Sequence, residues 1–444
     1  MSANSCLRPL RRFAAPPLRG LREGGGEDVV GRGFFGSYGI QADNRDEAGK
    51  QPMKSKLFGV ATIAALAFGL QPVMAQTPIK IGFISTFSGP QAAIGEDMRR
   101  SVELAKEHLS GKMGGKPFEI VYEDDQFKPD VGKQKSEKLV QQDKVAVVAG
   151  YIWSNVLLAS LKTVTDEGDT ILISANAGPS QIAGELCNKN FFSTSWQNDQ
   201  TPMAMGEYLN TKGVKSLYLM GPNYAAGKDM IAGVKRTYKG EIKGEDYTKW
   251  PDQLDFSAEL AKIAAAKPDG IFIFYPGAHG VQFVKQWAQS GLNKTVPLYQ
   301  VFSIDAITLP QQGDLALGTL GAQEWVNDQP NEQNKRYVAD FKKKHNVYPS
   351  YYGAQSYDAI MLIASAAEAL KGDLSNKDKV RAEIKKANFK SLRGDFKYNT
   401  NQFPIQNFYI QEAVKDPEGM MTVKTIATAV KDGKDPYYEK CPMK

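Results

Sequence analysis

The chain has 444 residues, with 55 Lys and Arg against 49 Asp and Glu for a net charge of +6, and it is 42% hydrophobic and 23% charged. Those proportions exclude a disordered polymer, a multi-span membrane protein and a disulfide-dense mini-protein, and the length fits two or three domain-sized units. The excess charge lies near the N-terminus. Residues 1–75 hold 10 Lys and Arg against 6 Asp and Glu, so the remainder nets only +2 and offers no basic patch for nucleic acid.

Residues 53–75 read as an export signal. Met53-Lys54-Ser55-Lys56 supplies a positive start, an apolar run follows from Leu57 to Leu70, and Val73-Met74-Ala75 is a small-residue cleavage site. The run is about 14 residues, short of the ~20 that a membrane span needs. Gln76, not a Cys, stands directly after the cleavage site, so a free, exported protein in the periplasm is expected rather than a lipoprotein. Residues 1–52, rich in Arg, Gly and Pro, are read as an unstructured upstream over-extension of the reading frame. The Gly31-Arg32-Gly33-Phe34-Phe35-Gly36 run within them lacks the flanking strand and helix of a dinucleotide site.

From residue 76 onward strands and helices alternate. Ile79–Ile84 is a strand, followed by a loop over Ser85–Gly95 and a helix from about Asp97 to Leu109. Strands are expected at Phe118–Tyr122, Val145–Ala149 and Thr170–Ser174, with helices at Asp130–Gln142 and Asn155–Glu167. A second series has strands at Ser216–Met220, Lys243–Tyr247, Gly270–Phe274 and Leu298–Phe302. Its helices are Ala226–Tyr238, Phe256–Ala266 and Gly280–Ser290. Such alternation implies an α/β fold of two doubly wound parallel-sheet lobes. Helices at Glu332–Lys344, Gln355–Leu370 and Asp378–Ala387, then short strands at Phe396–Asn399 and Asn407–Ala413, would return to the lobes rather than build a third sheet domain.

The chemistry-bearing residues are sparse. His108, His279 and His345 are scattered, no Cys/His cluster has metal spacing, and G-x-S-x-G and H-E-x-x-H are absent. The expectation is therefore a binding protein, not an enzyme, that needs no metal or cofactor. With Cys6 in the upstream segment, Cys187 and Cys441 are expected to close one long loop in an oxidising compartment, two free thiols being the alternative. In open parallel sheets ligands sit beyond the carboxyl ends of the strands. Those loops carry Ser, Asn, Gly, Tyr and Trp, and Ser154, just ahead of a helix, is either its N-cap or an anion contact.

Several runs together carry a resemblance over 78–430. Ile79–Ile84 with Ser88-Gly89-Pro90 and Gly95, Tyr122–Asp125 with Pro129-Asp130, and Val148–Ser154 come first. Phe191–Gln200, Tyr224–Gly227 and Asp255-Phe256-Ser257 follow. In that order they resemble the type I periplasmic solute-binding proteins of ABC importers, in the leucine/isoleucine/valine-binding family. The resemblance implies lobes of 76–196 with 326–395 and of 197–325 with 396–444. The hinges would lie near Trp196–Gln197, Glu324–Val326 and Arg393–Phe396. It also implies capture by closure and delivery to an inner-membrane permease, by a protein expected to be monomeric.

Carried over position by position, Ser154 and the Asn176-Ala177-Gly178 loop hold a solute carboxylate, with Gly178 where a Thr or Ser is usual. Tyr224 closes from the second lobe, and Ser88 stands in the first loop. The family's acidic ammonium contact falls at Ser303, with Asp305 two residues on, and its aromatic hydroxyl falls at Ala278. An unpaired buried ammonium costs several kcal/mol, and Tyr151, Trp153, Trp196, Tyr224 and Phe302 offer aromatic walls. An aromatic carboxylate such as a benzoate or cinnamate derivative is therefore expected. A branched-chain or aromatic amino acid is the alternative, and a ligand-sensing receptor module a further one.

Overall fold

The computed structural model describes residues 77–443; the export signal and the 1–52 segment read from the sequence lie outside them. Runs such as Ile79–Ser85 and Gly270–Phe274 are apolar on both faces, which suits strands covered by helices on each side. They form the centres of two sheets. The first has six strands in the order Lys112–Met113, Lys116–Asp124, Ile79–Ser85, Val147–Gly150, Ile171–Ser174 and Phe191–Ser193. It is parallel apart from the hairpin at its Lys112–Met113 edge, and Ile81 pairs with both Ile120 and Val147.

The second sheet has eight strands. Five of them, Leu320–Gln323, Leu298–Val301, Gly270–Phe274, Ser216–Pro222 and Glu241–Thr248, lie side by side in parallel. Pro404–Lys415 then adds antiparallel to Leu320–Gln323, and Lys397–Tyr398 and Met421–Gly433 pair with it in turn. Helices Glu332–His345, Tyr351–Ala369 and Lys377–Lys386 join the first lobe. Tyr337 Oη meets Ser101 Oγ at 2.8 Å, and Lys377 Nζ donates to Ala146 O at 2.9 Å.

Several elements escape the periodicity, among them the short strands Lys112–Met113, Phe191–Ser193 and Leu320–Gln323. Gln200–Thr211 is a helix although Pro202 interrupts its pattern; the proline falls in the first turn, where no intrahelical donor is lost. Met421–Gly433 is a thirteen-residue strand whose alternating exposed face, with Lys424 and Lys431, makes it read as polar loop.

The chain crosses between the sheets three times, after Ser193, after Gln323 and before Lys397. Arg393 binds two of the crossings together. Its guanidinium donates to Thr194 O at 2.6 Å and Ser195 O at 3.3 Å, and to Asp358 Oδ2 at 3.2 Å and Gln406 Oε1 at 2.7 Å. The C-terminal tail makes a further link. It leaves the second sheet after Gly433 and ends in a Cys187–Cys441 disulfide to the loop that precedes Phe191–Ser193 of the first.

Candidate functional site

The strand Val147–Gly150 ends in a backbone turn only glycine tolerates: Gly150 has φ +115°, and a Cβ there would stand 2.1 Å from Ile84 O. The turn delivers Trp153 and Ser154 to the start of helix Ser154–Lys162. Trp153, not Ser154, is the cap residue, and no side chain caps the helix. The Ser154 hydroxyl is thereby spared for other work, accepting a hydrogen bond from Asn198 Nδ2 at 3.1 Å. The unpaired N–H groups of the first turn and the positive helix end favour an anion beside it.

Between the lobes lies a thin slot with a cavity volume of about 20 Å³. Trp153, Ser154, Asn176, Ala177, Trp196 and Tyr224 from the sequence-based set all line it, as does Phe302. Trp196 stacks on Phe302 with ring centroids 4.4 Å apart and 22° between planes, and Phe302 meets Phe274 edge-on at 5.8 Å. Tyr224 stacks on Trp250 at 5.0 Å, and Trp250 reaches Trp153 of the other lobe at 5.8 Å. The indole N–H of Trp196 and Oδ1 of Asn176 are buried without a protein partner.

The other predicted residues stand elsewhere. Tyr151 is fully buried with its hydroxyl 2.7 Å from Ser136 Oγ, so it fills the packing beside helix Pro129–Gln141 and forms no wall. Ser88 is exposed and lies outside the slot's lining. Gly178 lies behind the slot, where a Cβ would come within 1.9 Å of Trp196 O; Ala177 is the lining residue of that loop. Ala278 starts a helix, and Pro276 lines the slot in its place. Ser303 Oγ donates to Tyr275 O at 2.8 Å and is turned away, whereas Phe302, at φ +60°, carries its ring inward.

Asp305 also points elsewhere. Its Oδ1 accepts from the N–H groups of Ile307 at 2.7 Å and Thr308 at 2.9 Å, and it lines a separate cavity with Ser350 and Tyr351. Burial pushes its pKa up to about 6. No residue lining the slot is acidic or basic. The residues that sequence reasoning missed are Ile152, Asn198, Ala226, Met230, Phe274, Pro276 and Tyr352. Asn198 stood within a motif already singled out; Met230 and Tyr352 lie inside helices, where no loop signal marks them.

Among the described residues no group of His, Cys, Asp and Glu is arranged to hold a metal ion, and no helix is long and apolar enough to cross a membrane. A family model described as periplasmic binding protein matches residues 78–418. The chain is 30% identical to a solute-binding protein of an ABC transporter from R. palustris, solved in complex with benzoate. That alignment has a TM-score of 0.77 and covers 82% of this chain and 100% of the other. A second, from Rhodopseudomonas palustris BisB5 in complex with 3,4-dihydroxybenzoic acid, is 28% identical with a TM-score of 0.76, covering 81% and 99%. The chain is also 26% identical over 388 residues to a Leu/Ile/Val-binding protein homolog of Brucella melitensis, covering 84% of this chain and 97% of that one.

Proposed function

The chain belongs to the periplasmic binding protein family, as a solute-binding component of an ABC transporter, and we propose that its solute is an aromatic carboxylate of the benzoate or cinnamate class. The observation that carries the reading is the slot's lining: stacked rings, with hydrogen-bond donors at the Ser154 helix start and no charged side chain of either sign. A flat ring gains by area burial and stacking there. An α-ammonium would be buried without a carboxylate, at a cost of several kcal/mol. The solute complexes of the two Rhodopseudomonas proteins support the same class.

Capture works by closure, since the lining comes from both lobes and the hinge, and the loaded protein hands its solute to a membrane permease. We further propose that the protein acts as a monomer and that residues 53–75 are the cleaved signal that brings it to the periplasm.

The Brucella relative's name favours a second reading, a branched-chain amino acid. It requires Asp305 to leave its backbone donors and turn toward the slot. A thermal-shift screen of benzoate, 4-hydroxybenzoate, cinnamate and p-coumarate against leucine, isoleucine, valine and phenylalanine separates the two. A solute at a hundredfold excess over Kd stabilises by about 2.7 kcal/mol. A response to amino acids alone would overturn the aromatic reading.

A further inference from the structure

We infer that Asn198 and Asp229 are positioning residues that present the Ser154 hydroxyl as a donor to the solute's carboxylate and make that presentation depend on lobe closure. The inference rests on the carboxylate reading above.

Asn198 is 2% exposed, and its backbone N–H is fixed to Gly178 O at 2.8 Å. Its Nδ2 donates to Ser154 Oγ at 3.1 Å and to Asp229 Oδ2 at 3.0 Å. A carboxylate only accepts, so Asp229 selects which end of the amide faces it: the nitrogen, not the oxygen. Having accepted from that nitrogen, Ser154 Oγ keeps its own proton for another partner, and it stands at the slot wall. Were the amide reversed, Asn198 Oδ1 would draw the Ser154 proton, and the hydroxyl would face the solute with lone pairs that repel a carboxylate.

Asp229 belongs to the second lobe, on helix Ala225–Thr237. It also accepts from Ser180 of the first lobe, at 3.0 Å from the backbone N and 2.8 Å from Oγ. The carboxylate that orients Asn198 is thus itself seated by contacts that exist only with the lobes together. In an open form Asp229 loses Ser180 and holds the amide less firmly. Closure selects the orientation that suits a carboxylate.

The test is calorimetry of benzoate and of neutral benzamide with wild type, Asn198→Asp and Asp229→Asn. In Asn198→Asp the new carboxyl shares a proton with Asp229 3.0 Å away, and its remaining acceptor oxygen draws the Ser154 proton away from the solute. Benzoate affinity should fall at least about tenfold, the size of a lost charge-assisted hydrogen bond, while benzamide stays within about threefold. Asp229→Asn, an isosteric change that carries the comparison alone if the first variant does not fold, should lower the benzoate-to-benzamide ratio several-fold. An unchanged ratio in the folded variants overturns the inference and leaves the aromatic reading intact.

If wild type takes leucine and no ring acid, the aromatic reading falls, and leucine against leucinamide tests the relay in the same variants. Binding of no carboxylate overturns both. Small-angle scattering of Asp229→Ala with saturating benzoate should show less contraction than wild type; an equal contraction removes the link to closure.

Discussion

Replacing both Cys187 and Cys441 by Ser tests the covalent link between the tail and the first lobe. The bridge joins residues 254 positions apart, and the chain-entropy model assigns such a loop about 5.5 kcal/mol at 25 °C. That is a ceiling, because the tail keeps other anchors in the absence of the bond. Asp435 Oδ2 accepts from Asn401 at 3.0 Å, and Tyr437 Oη bonds both Asp199 Oδ2 and Arg236 at 3.0 Å. A loss of about 2–4 kcal/mol is the expected range. With about 2.1 cal/mol/K of unfolding entropy per residue over the 367 described residues, each kcal/mol moves Tm by roughly 1.3 °C. The serine pair should therefore melt roughly 3–5 °C below wild type by calorimetry, and reductant should lower wild type alike. Equal melting points, or two free thiols in the intact mass, would refute the reasoning.

Ser154→Ala removes the donor and orphans one Asn198 amide proton; benzoate affinity in calorimetry should fall about 10- to 100-fold with little change in Tm. Asp97 is buried, accepts from Ser350 Oγ, and has its pKa pushed up to about 7 by burial, with the Asp305 charge adding to it. The folded state therefore holds a proton that the unfolded chain releases near pH 4, so this group's contribution to stability declines as pH rises from about 4 through 7. Asp97→Asn should gain roughly 2 kcal/mol on wild type between pH 5 and pH 8 in urea titrations, and a constant difference would count against the shift. Gly178→Ala must push Trp196 O away from a Cβ at 1.9 Å, which should cost both stability and benzoate affinity, read by melting and calorimetry.

The fold was legible because its strands are apolar on both faces and its helices are spaced by short loops, a pattern set by burial alone. Gln200–Thr211 and Met421–Gly433 were not, since a first-turn proline and a water-facing strand mask the period. Within the slot, loops singled out from the sequence supply much of the lining, but some of the residues named in them do not reach it. Ser303, Ala278 and Gly178 stand off the slot, which is reached by their neighbours Phe302 and Ala177, both named from the sequence, and by Pro276, which was not. Which neighbour points inward depends on backbone dihedrals, such as φ +60° at Phe302, that no residue pattern encodes. Tyr151 was misplaced for the same reason: at φ +66° its ring turns back under the helices.

The contacts that hold the lobes together decide what a solute must supply. Besides Ser180 with Asp229, His279 bridges them. Its Nε2 lies 2.7 Å from Pro251 O, a pure acceptor, so the ring proton sits there and Nδ1 accepts from Gln91 Nε2 at 3.2 Å. Burial lowers the His279 pKa and favours that neutral form. The neutral His279 contact nets about 1 kcal/mol and a bond to the Asp229 carboxylate about 1.5–3 kcal/mol, and both are set against the freedom lost on closing. Moving an equilibrium from mostly open to mostly closed takes about 5.5 kcal/mol of differential affinity. Burying roughly 150 Å² of ring contributes about 4 kcal/mol, and a charge-assisted carboxylate contact about 1.5–3 kcal/mol. Only a solute with both reaches the requirement. Benzoate should therefore contract the protein in small-angle scattering, whereas acetate, and benzyl alcohol with its ring but no charge, should leave it open at millimolar concentration. Contraction by either would show that the slot reads one feature alone.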